Sequence, residues 1–148
     1  MIALPAITVG DDPASEDLAT IDVGLGDAND AAAPLHEVRA LASFARLASG
    51  VLIGGAVGRT WGECCELQQL WVDAAQRRQG LGERVLRAFE RRAMERGCCT
   101  VYLETFSFQA PGLYRRLGYE VRHELTGFPH GIVKFLMLHR LGATENGP

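Results

Sequence analysis

A loop that joins an apolar segment to a helical pattern carries the residues best suited to chemistry. In this loop, residues 77–82 read Arg-Arg-Gln-Gly-Leu-Gly. The start of a helix offers backbone N–H groups without intrahelical partners and a partial positive charge. Gly80 and Gly82 have no Cβ, so a ligand can approach the backbone closely. Arg77 and Arg78 add positive charge, and the segment predicts a binding site for a phosphate or another anion.

Two better-known phosphate loops do not match this segment. No Lys-Ser or Lys-Thr pair follows the glycines, as the nucleotide P-loop requires. The dinucleotide fingerprint needs a third glycine and a strand from a βαβ unit, and both are missing. A glycine pair before a helix is also common as a plain flexible helix start, so the loop alone does not define a function.

Hydrophobic periodicity predicts the elements that position the loop. Apolar residues repeat every four positions from Leu81 to Ala93, which predicts an amphipathic helix between Gly80 and Gly97 with Glu90 outside its apolar stripe. Three segments joined by short turns precede the loop and predict an antiparallel meander.

Along the whole chain, the order of elements predicts a mixed sheet with helices packed on it. In the first third, we expect a strand at residues 6–9, a helix from Pro13 to Leu25 and a loop at residues 27–34. The other predicted elements are strands at 38–44, 51–58, 63–72, 99–105, 119–125 and 132–138, and helices at 80–97 and 111–117. We expect a single domain spanning residues 1–148.

Composition limits the classes of partner. The 148 residues are 47% hydrophobic and 22% charged, as in ordinary globular domains. The formal net charge of -3 supplies no basic field for nucleic acid. No stretch reaches the roughly 18–20 apolar residues that span a bilayer, and the first residues do not resemble a secretory leader. We therefore expect a cytoplasmic protein without nucleic-acid or membrane partners.

The four cysteines form two adjacent pairs, Cys64-Cys65 and Cys98-Cys99. Neither pair has the Cys-x-x-Cys spacing of a zinc site or a redox motif, and neighbouring cysteines are poorly placed to bond each other. We expect reduced thiols in strands and no metal site. A covalent route through Cys64 or Cys65 lacks an evident partner base.

Two motifs in the expected order resemble the GNAT acetyltransferases. Val72, Arg77, Gly80 and Gly82 have the spacing of the family's cofactor motif, Arg/Gln-x-x-Gly-x-Gly/Ala after an apolar strand end. One helix and one strand later, residues 107–119 read Ser-Phe-Gln-Ala-Pro-Gly-Leu-Tyr-Arg-Arg-Leu-Gly-Tyr, similar to the family's Ala-x-x-x-Tyr-x-x-x-Gly-Phe/Tyr signature. The resemblance covers residues 54–141. It implies the GNAT fold, an α/β (α+β) architecture with a mixed, mostly antiparallel twisted sheet of about six to seven strands and helices on both faces.

The resemblance also implies acetyl-CoA as co-substrate, with no metal. The strand of Leu70 would diverge from the strand of Leu103, and its backbone would hydrogen-bond the pantetheine arm. Backbone N–H groups at the start of the following helix would hold the pyrophosphate. The implied cofactor-binding residues are Leu70, Trp71, Val72, Arg77, Arg78, Gln79, Gly80, Leu81, Gly82, Glu83, Ser107, Ala110 and Tyr114.

Catalytic residues follow from the same resemblance. Tyr114 would act as the acid toward the departing sulfur, and the alternative is that its ring only packs on pantetheine. A backbone N–H near Val72 would stabilise the oxyanion. Glu66 is the candidate base, and strict alternation would place it on one face with Gln68 and Leu70. A β-bulge would change this alternation of side chains. It is equally open that water takes the proton of the amine and that no residue acts as a dedicated base.

The implied acceptor is a primary amine of a small molecule, attacked directly in a ternary complex. Residues in the segments that build the family's acceptor site are Asp27, Asn29, Asp30, Trp61, Phe128 and His130. Two other functions stay open: a non-catalytic CoA-binding sensor, and an acetyltransferase acting on a protein or a tRNA-linked amine. Dimerisation through the last strands, common in the superfamily, is a further expectation.

Overall fold

The computed structural model describes residues 1–142 and contains two compact units, divided after His36. The first unit contains one long helix, α1 (Ser15–Ala32). Residues 1–14 form neither helix nor strand, so the strand expected at residues 6–9 is wrong. The prediction of a single domain over the whole chain stays a prediction.

Helix α1 begins where the sequence predicts a helix, but it extends through most of the expected loop at residues 27–34. Gly24 and Gly26 each weaken a helix by only about 1 kcal/mol relative to alanine, and a few such residues do not end it. Pro34 does, because the residue before a proline is forced out of the helical region. Ala33 accordingly has extended angles, φ -146° and ψ 154°. Within residues 1–142, no helix is long and apolar enough to cross a membrane.

The second unit is a six-stranded sheet with two helices. Its strands are β1 (Arg39–Arg46), β2 (Leu52–Trp61), β3 (Cys64–Val72), β4 (Thr100–Phe106), β5 (Glu120–Leu125) and β6 (Lys134–Arg140), and its helices are α2 (Leu81–Glu95) and α3 (Pro111–Arg116). The strand order is β1-β2-β3-β4-β6-β5, and only β3 and β4 pair in parallel. Gly50 and Gly62 form the two meander turns with φ of 90° and 56°. The predicted mixed, mostly antiparallel sheet of six to seven strands is confirmed.

The core lies between α2 and the sheet. Helix α2 buries Val85, Leu86, Phe89 and Ala93, each at most 4% exposed, as the four-residue repeat predicts. These side chains belong to one apolar cluster with buried residues of the strands, which include Ala56, Cys65, Leu67, Val101, Leu103 and Met137. The cluster fixes the start of α2 against the end of β3.

Glu90 is a correction to the predicted helix faces, because it is buried at 2% exposure and not on the solvent face. Its Oε1 accepts a hydrogen bond from Arg87 Nη1 at 3.0 Å, and its Oε2 accepts one from the Tyr119 hydroxyl at 3.3 Å. The ring nitrogen Nε2 of His139 lies 3.6 Å from the same Oε2. These partners compensate for the lost hydration of the carboxylate.

Strand β3 carries a bulge at Gln68. The register with β2 shifts there, since Val57 lies opposite Gln69 and Gly58 lies opposite Leu67. A Cβ on Gly58 would overlap the carbonyl oxygen of Glu66, so only glycine fits beside the bulge. The bulge changes the direction of every side chain that follows it on β3.

Candidate active site

A cleft opens where β3 and β4 stop pairing. Their parallel register holds residues 64–67 against residues 100–103 and ends there, so the predicted divergence of the two strands is present. The cleft has a volume of about 930 Å³. It is lined by Gln68, Gln69, Leu70, Trp71, Val72, Gln76, Arg77, Arg78, Gly80, Leu81, Gly82, Glu83, Glu104, Thr105, Phe108, Gln109, Ala110, Leu113, Tyr114 and Arg116.

One end of the cleft is formed by residues 77–82, here called the anion loop. Gly80 precedes α2 with φ 72°, and no side chain caps the first turn of the helix, so its N–H groups are free to bind a ligand. Arg78 also has a positive φ, 62°, an uncommon conformation for a residue with a Cβ. Arg77 Nε donates a hydrogen bond to the carbonyl of Val72 at 3.0 Å and ties the loop to the end of β3. A Cβ on Gly82 would point toward Leu113 and Val72 on the cleft floor.

Tyr114 lies at the side of the cleft that α3 forms. Pro111 occupies the first turn of this helix, where its missing N–H costs nothing. The Tyr114 ring is 7% exposed and packs edge-on against Tyr119, with centroids 5.6 Å apart. Burial raises the pKa of Tyr114 to about 12, so its phenol is protonated at neutral pH.

The buried Glu90 and the partly buried His139 both contact Tyr119. Its ring lies 5.0 Å from the His139 ring, and the pKa of its hydroxyl is strongly raised by burial and by the adjacent Glu90 carboxylate. His139 Nδ1 also lies 3.1 Å from the Gly118 carbonyl. His139 therefore does contact the second motif, which the sequence alone did not indicate.

The outer rim of the cleft contains charged and aromatic side chains. Glu104 forms an ion pair with Lys134 at 2.7 Å. Gln109 Oε1 accepts hydrogen bonds from the Thr105 hydroxyl at 3.1 Å and from the Phe106 N–H at 2.8 Å. These bonds fix the turn that presents the segment after β4 to the cleft.

The bulge places Glu66 on a different face from Leu70. Glu66 lies opposite Arg59 and Leu70 lies opposite Ala56, and residues three apart on the regular β2 point to opposite faces. The shared face expected from strict alternation is therefore wrong. Arg59 Nε donates to Glu66 Oε2 at 2.8 Å, and Glu66 does not line the cleft.

The predicted cofactor-binding residues come together with few exceptions. Gln79 lines a different cleft, between β1 and α2. Ser107 is not part of the lining, and its hydroxyl accepts a hydrogen bond from the Val133 N–H at 3.1 Å. The other predicted residues line the cleft: Leu70, Trp71, Val72, Arg77, Arg78, Gly80, Leu81, Gly82, Glu83, Ala110 and Tyr114.

The residues expected at the acceptor site belong to several different elements. Trp61 lies opposite Cys64, at the end of β3 that is farthest from the anion loop. Phe128 packs against Phe106, and His130 sits in a short 3-10 turn with φ 58°. Asp27, Asn29 and Asp30 belong to α1 in the first unit.

Sequence reasoning missed several lining residues, notably Glu104, Phe108 and Arg116. Phe108 and Arg116 fall within residues 107–119, but neither occupies a position that the family signature specifies. Glu104 carried a signal of its own, because a carboxylate interrupts an otherwise mostly apolar strand. Its place in the cleft depends on the divergence of two strands, which no local pattern measures.

The second cleft, about 770 Å³, lies between β1 and α2 on the other side of the anion loop. Its walls include Arg46 of β1 and three arginines of α2, Arg84, Arg87 and Arg91. Arg96 instead reaches back to β1, where its Nη1 donates to the Ala40 carbonyl at 2.9 Å. This cleft lacks Tyr114, and the first cleft is the candidate active site.

Comparison with known proteins agrees with this geometry. The model of the acetyltransferase (GNAT) family matches residues 15–119. A blasticidin-S acetyltransferase from Streptomyces morookaense is 39% identical over 112 residues, which are 73% of this chain and 82% of that protein. The crystal structure of an acetyltransferase from Bacillus cereus has a TM-score of 0.75 at 24% identity, covering 90% of this chain and 98% of the other. An aminoglycoside 6'-N-acetyltransferase complexed with coenzyme A has a TM-score of 0.62 at 19% identity, covering 69% and 73%.

The anion loop at the start of a helix, beside a cleft where two strands stop pairing, is the arrangement that the resemblance to the GNAT acetyltransferases implies. The chain belongs to the GNAT family of acetyltransferases.

Proposed function

We propose that this chain transfers the acetyl group of acetyl-CoA to a primary amine of a small molecule, by direct attack while both substrates are bound. The observation that carries the proposal is that one cleft contains both the anion loop and the Tyr114 ring. A site of this kind brings the phosphate-bearing end of a ligand and a protonated phenol into one continuous space.

The residues of the cleft fit coenzyme A. The uncapped N–H groups at the start of α2 and the guanidinium groups of Arg77 and Arg78 suit the pyrophosphate. Gly82 leaves open the space that a Cβ would fill. Beyond Leu67, β3 has no partner on its β4 side, so the backbone of residues 70–72 is free to hydrogen-bond a pantetheine arm as an added strand would.

Acetyl-CoA, when bound, supplies an activated thioester carbonyl and a thiolate leaving group. Tyr114 would donate a hydrogen bond to the departing sulfur, and a backbone N–H near Val72 would stabilise the carbonyl oxygen as it becomes negative. The pKa of Tyr114 is raised to about 12, whereas an ordinary thiol has a pKa of about 8.5. Complete proton transfer from the phenol is therefore unfavourable, and we infer that Tyr114 stabilises the thiolate mainly as a hydrogen-bond donor.

The attacking amine must lose a proton, and we propose that water accepts it. Glu66, the candidate base, is engaged by Arg59 and lies outside the cleft lining. Glu104 lines the cleft, but Lys134 neutralises it at 2.7 Å. This arrangement favours solvent as the base over either carboxylate.

A small-molecule acceptor is supported by the curated relative at 39% identity, which is named for its action on blasticidin S. The net charge of -3 gives the chain no general attraction for an acidic macromolecule such as tRNA. The proposal therefore places the acceptor amine on a small molecule.

The first test combines calorimetric titration with acetyl-CoA and a thiol-release assay against a panel of small amines. We expect micromolar binding and release of free CoA with one class of amine. Binding without release from any amine would contradict the proposed transfer and favour a CoA-binding sensor. No binding would contradict the assignment of the anion loop itself.

Gly82→Glu should abolish acetyl-CoA binding without unfolding the protein, because it places bulk and negative charge against the pyrophosphate. We expect at least a 100-fold weaker Kd, which corresponds to about 2.7 kcal/mol. Gly24→Glu is the matched control, since a Cβ at Gly24 meets nothing within 4 Å on α1. Equal binding by both variants in the titration would refute the pyrophosphate site.

A further inference from the structure

Three phenylalanine rings pack against one another at the rim of the cleft, and the proposed chemistry gives them no role. This phenylalanine rim consists of Phe106, Phe108 and Phe128. The rings of Phe106 and Phe108 are parallel within 9° with centroids 5.3 Å apart, and Phe128 meets Phe106 edge-on at 5.3 Å and 85°. Aromatic pairs prefer these two geometries, so the three rings stabilise one another in a defined arrangement.

Phe108 is the outermost member of the rim and is 67% exposed. One face of its ring is covered by Phe106, and its large exposed fraction leaves the other face open to solvent. Phe108 also lines the cleft that contains Tyr114. Phe108 is thus a large apolar ring in a fixed orientation at the mouth of the candidate active site, and ligand pockets are commonly lined by aromatic side chains.

Lys134 and Glu104 hold the rim in place. The ammonium group of Lys134 lies 5.5 Å from the centroid of Phe106 and binds the Glu104 carboxylate at 2.7 Å. Phe106 is thus restrained by the parallel ring of Phe108, the edge of the Phe128 ring and the ammonium group of Lys134. Phe108 therefore stacks on a ring whose position is fixed. The Glu104 carboxylate, 60% exposed, also lines the cleft.

We propose that the acceptor carries a flat aromatic or heteroaromatic ring that stacks on the open face of Phe108. The acceptor's amine then extends into the cleft toward Tyr114. This inference rests on the proposed transfer to a small-molecule amine and narrows its substrate class. Phe108 is assigned as the residue that selects the ring.

The test compares two amines of matched length, 2-phenylethylamine and 2-cyclohexylethylamine, as acceptors in the thiol-release assay. Both carry a six-membered ring, but only the first ring is flat and aromatic. Each is assayed with the natural chain, with Phe108→Leu and Phe108→Trp, and with Phe44→Leu as matched control. Phe44 is also an exposed phenylalanine, at 55%, but it lies on β1 and lines the other cleft.

We expect the natural chain to prefer the flat ring by about 3- to 10-fold in kcat/KM, the range of a single aromatic pair. Phe108→Leu should remove this preference by raising KM for 2-phenylethylamine while kcat and the acetyl-CoA Kd stay unchanged. Phe108→Trp should keep the preference, and Phe44→Leu should leave it intact.

Four results would overturn the inference. Two are equal use of the two amines and turnover only with amines that carry no ring, and both leave the proposed transfer standing. Another is an equal effect of Phe108→Leu and Phe44→Leu. The last is a concentration-dependent dimer that Phe108→Leu abolishes without changing acceptor kinetics, since the rim would then contact a second copy of the chain. Absence of thiol release with every amine would instead defeat the proposed function itself.

Discussion

Single residues in this protein show how a charged or polar group is kept inside the core. The Glu90 carboxylate is nearly inaccessible, yet Arg87 and Tyr119 donate to it and His139 lies beside it. A buried charge with several partners is close to neutral for stability, whereas loss of one partner leaves a desolvated group at high cost. The arrangement holds Tyr119, and Tyr119 supports the ring of Tyr114. Glu90 and His139 thus act on the cleft through two aromatic rings.

Tyr114→Phe should lower kcat by about 100-fold, because the departing sulfur loses its hydrogen-bond donor. The acetyl-CoA Kd should change little, since the ring stays in place. Tyr102→Phe, on the strand β4 and outside the cleft lining, is the control and should retain full activity. Steady-state kinetics and calorimetry together check this, and an unchanged kcat in Tyr114→Phe would reject the role of the phenol.

The four free cysteines should differ sharply in reactivity. Cys64 and Cys99 are exposed, whereas burial raises the pKa of Cys65 to about 12 and also raises that of Cys98. The thiolate is the reactive form, so alkylation by iodoacetamide at pH 8 should modify Cys64 and Cys99 and spare the other two. Peptide mass spectrometry reads the four sites separately, with urea-denatured protein as the control in which all four react. Rapid labelling of Cys65 in the folded protein would contradict the structure.

At the scale of elements, the bulge at Gln68 determines what β3 presents to the cleft. It separates Glu66, which faces Arg59, from Leu70, which packs against the core. It can form only because Gly58 on the neighbouring strand has no side chain. One inserted residue therefore determines the face to which Glu66 points relative to the β3 residues that follow the bulge.

Gly58→Ala should destabilise the fold by about 1–3 kcal/mol or more, because the new Cβ overlaps the Glu66 carbonyl and the backbone must shift. Gly112→Ala is the matched control, since a Cβ there meets nothing within 4 Å and alanine favours the helix α3. Urea unfolding measures both. A stability loss that is the same in the two variants would show that the bulge is not constrained by Gly58.

At the scale of the whole molecule, several acidic protons are buried in the same core. The pKa values of Tyr114 and Cys65 are each raised to about 12, and that of Tyr119 is raised further. In the unfolded chain these groups titrate near 8.5 for cysteine and 10 for tyrosine. The folded state therefore holds protons that the unfolded state releases at alkaline pH.

The free energy of unfolding should be constant from pH 7 to about pH 8.5 and should fall by a few kcal/mol between about pH 9 and pH 11. The sign follows from the raised pKa values, since their stabilisation is present below the unfolded pKa values and is lost as pH rises toward about 12. Cys65→Ala should reduce the decline between about pH 9 and pH 10 without abolishing it, because burial also raises the pKa of Cys98. Urea midpoints measured across this range check the expectation, and a midpoint that stays constant to pH 11 would disprove it.

The sequence predicts those parts of the site that local chemistry determines. The anion loop is one continuous segment whose glycines, arginines and helix start are all visible in the sequence, and Tyr114 has a fixed place in a short signature. The strands of the meander follow from alternation and turn residues. These features depend on neighbours a few positions away.

Features that depend on distant partners could not be predicted. The burial of Glu90 requires Tyr119 and His139, which are 29 and 49 residues further along the chain. The bulge at Gln68 leaves no local mark in the alternation of β3. The contact of Phe108 with the cleft requires β3 and β4 to diverge at a particular pair, Leu67 and Leu103. Each of these three features depends on contacts between residues that are far apart in the sequence.

The early end of the β3–β4 pairing also gives the molecule two strand edges in its interior. Such edges resemble the outer edge of a sheet, where unpaired backbone groups attract strands from other molecules. A ligand that occupies the cleft covers them, and an empty cleft leaves them open. Under the proposed function, coenzyme A is the ligand that covers these edges, so adding it should reduce the protein's tendency to associate during concentration or storage.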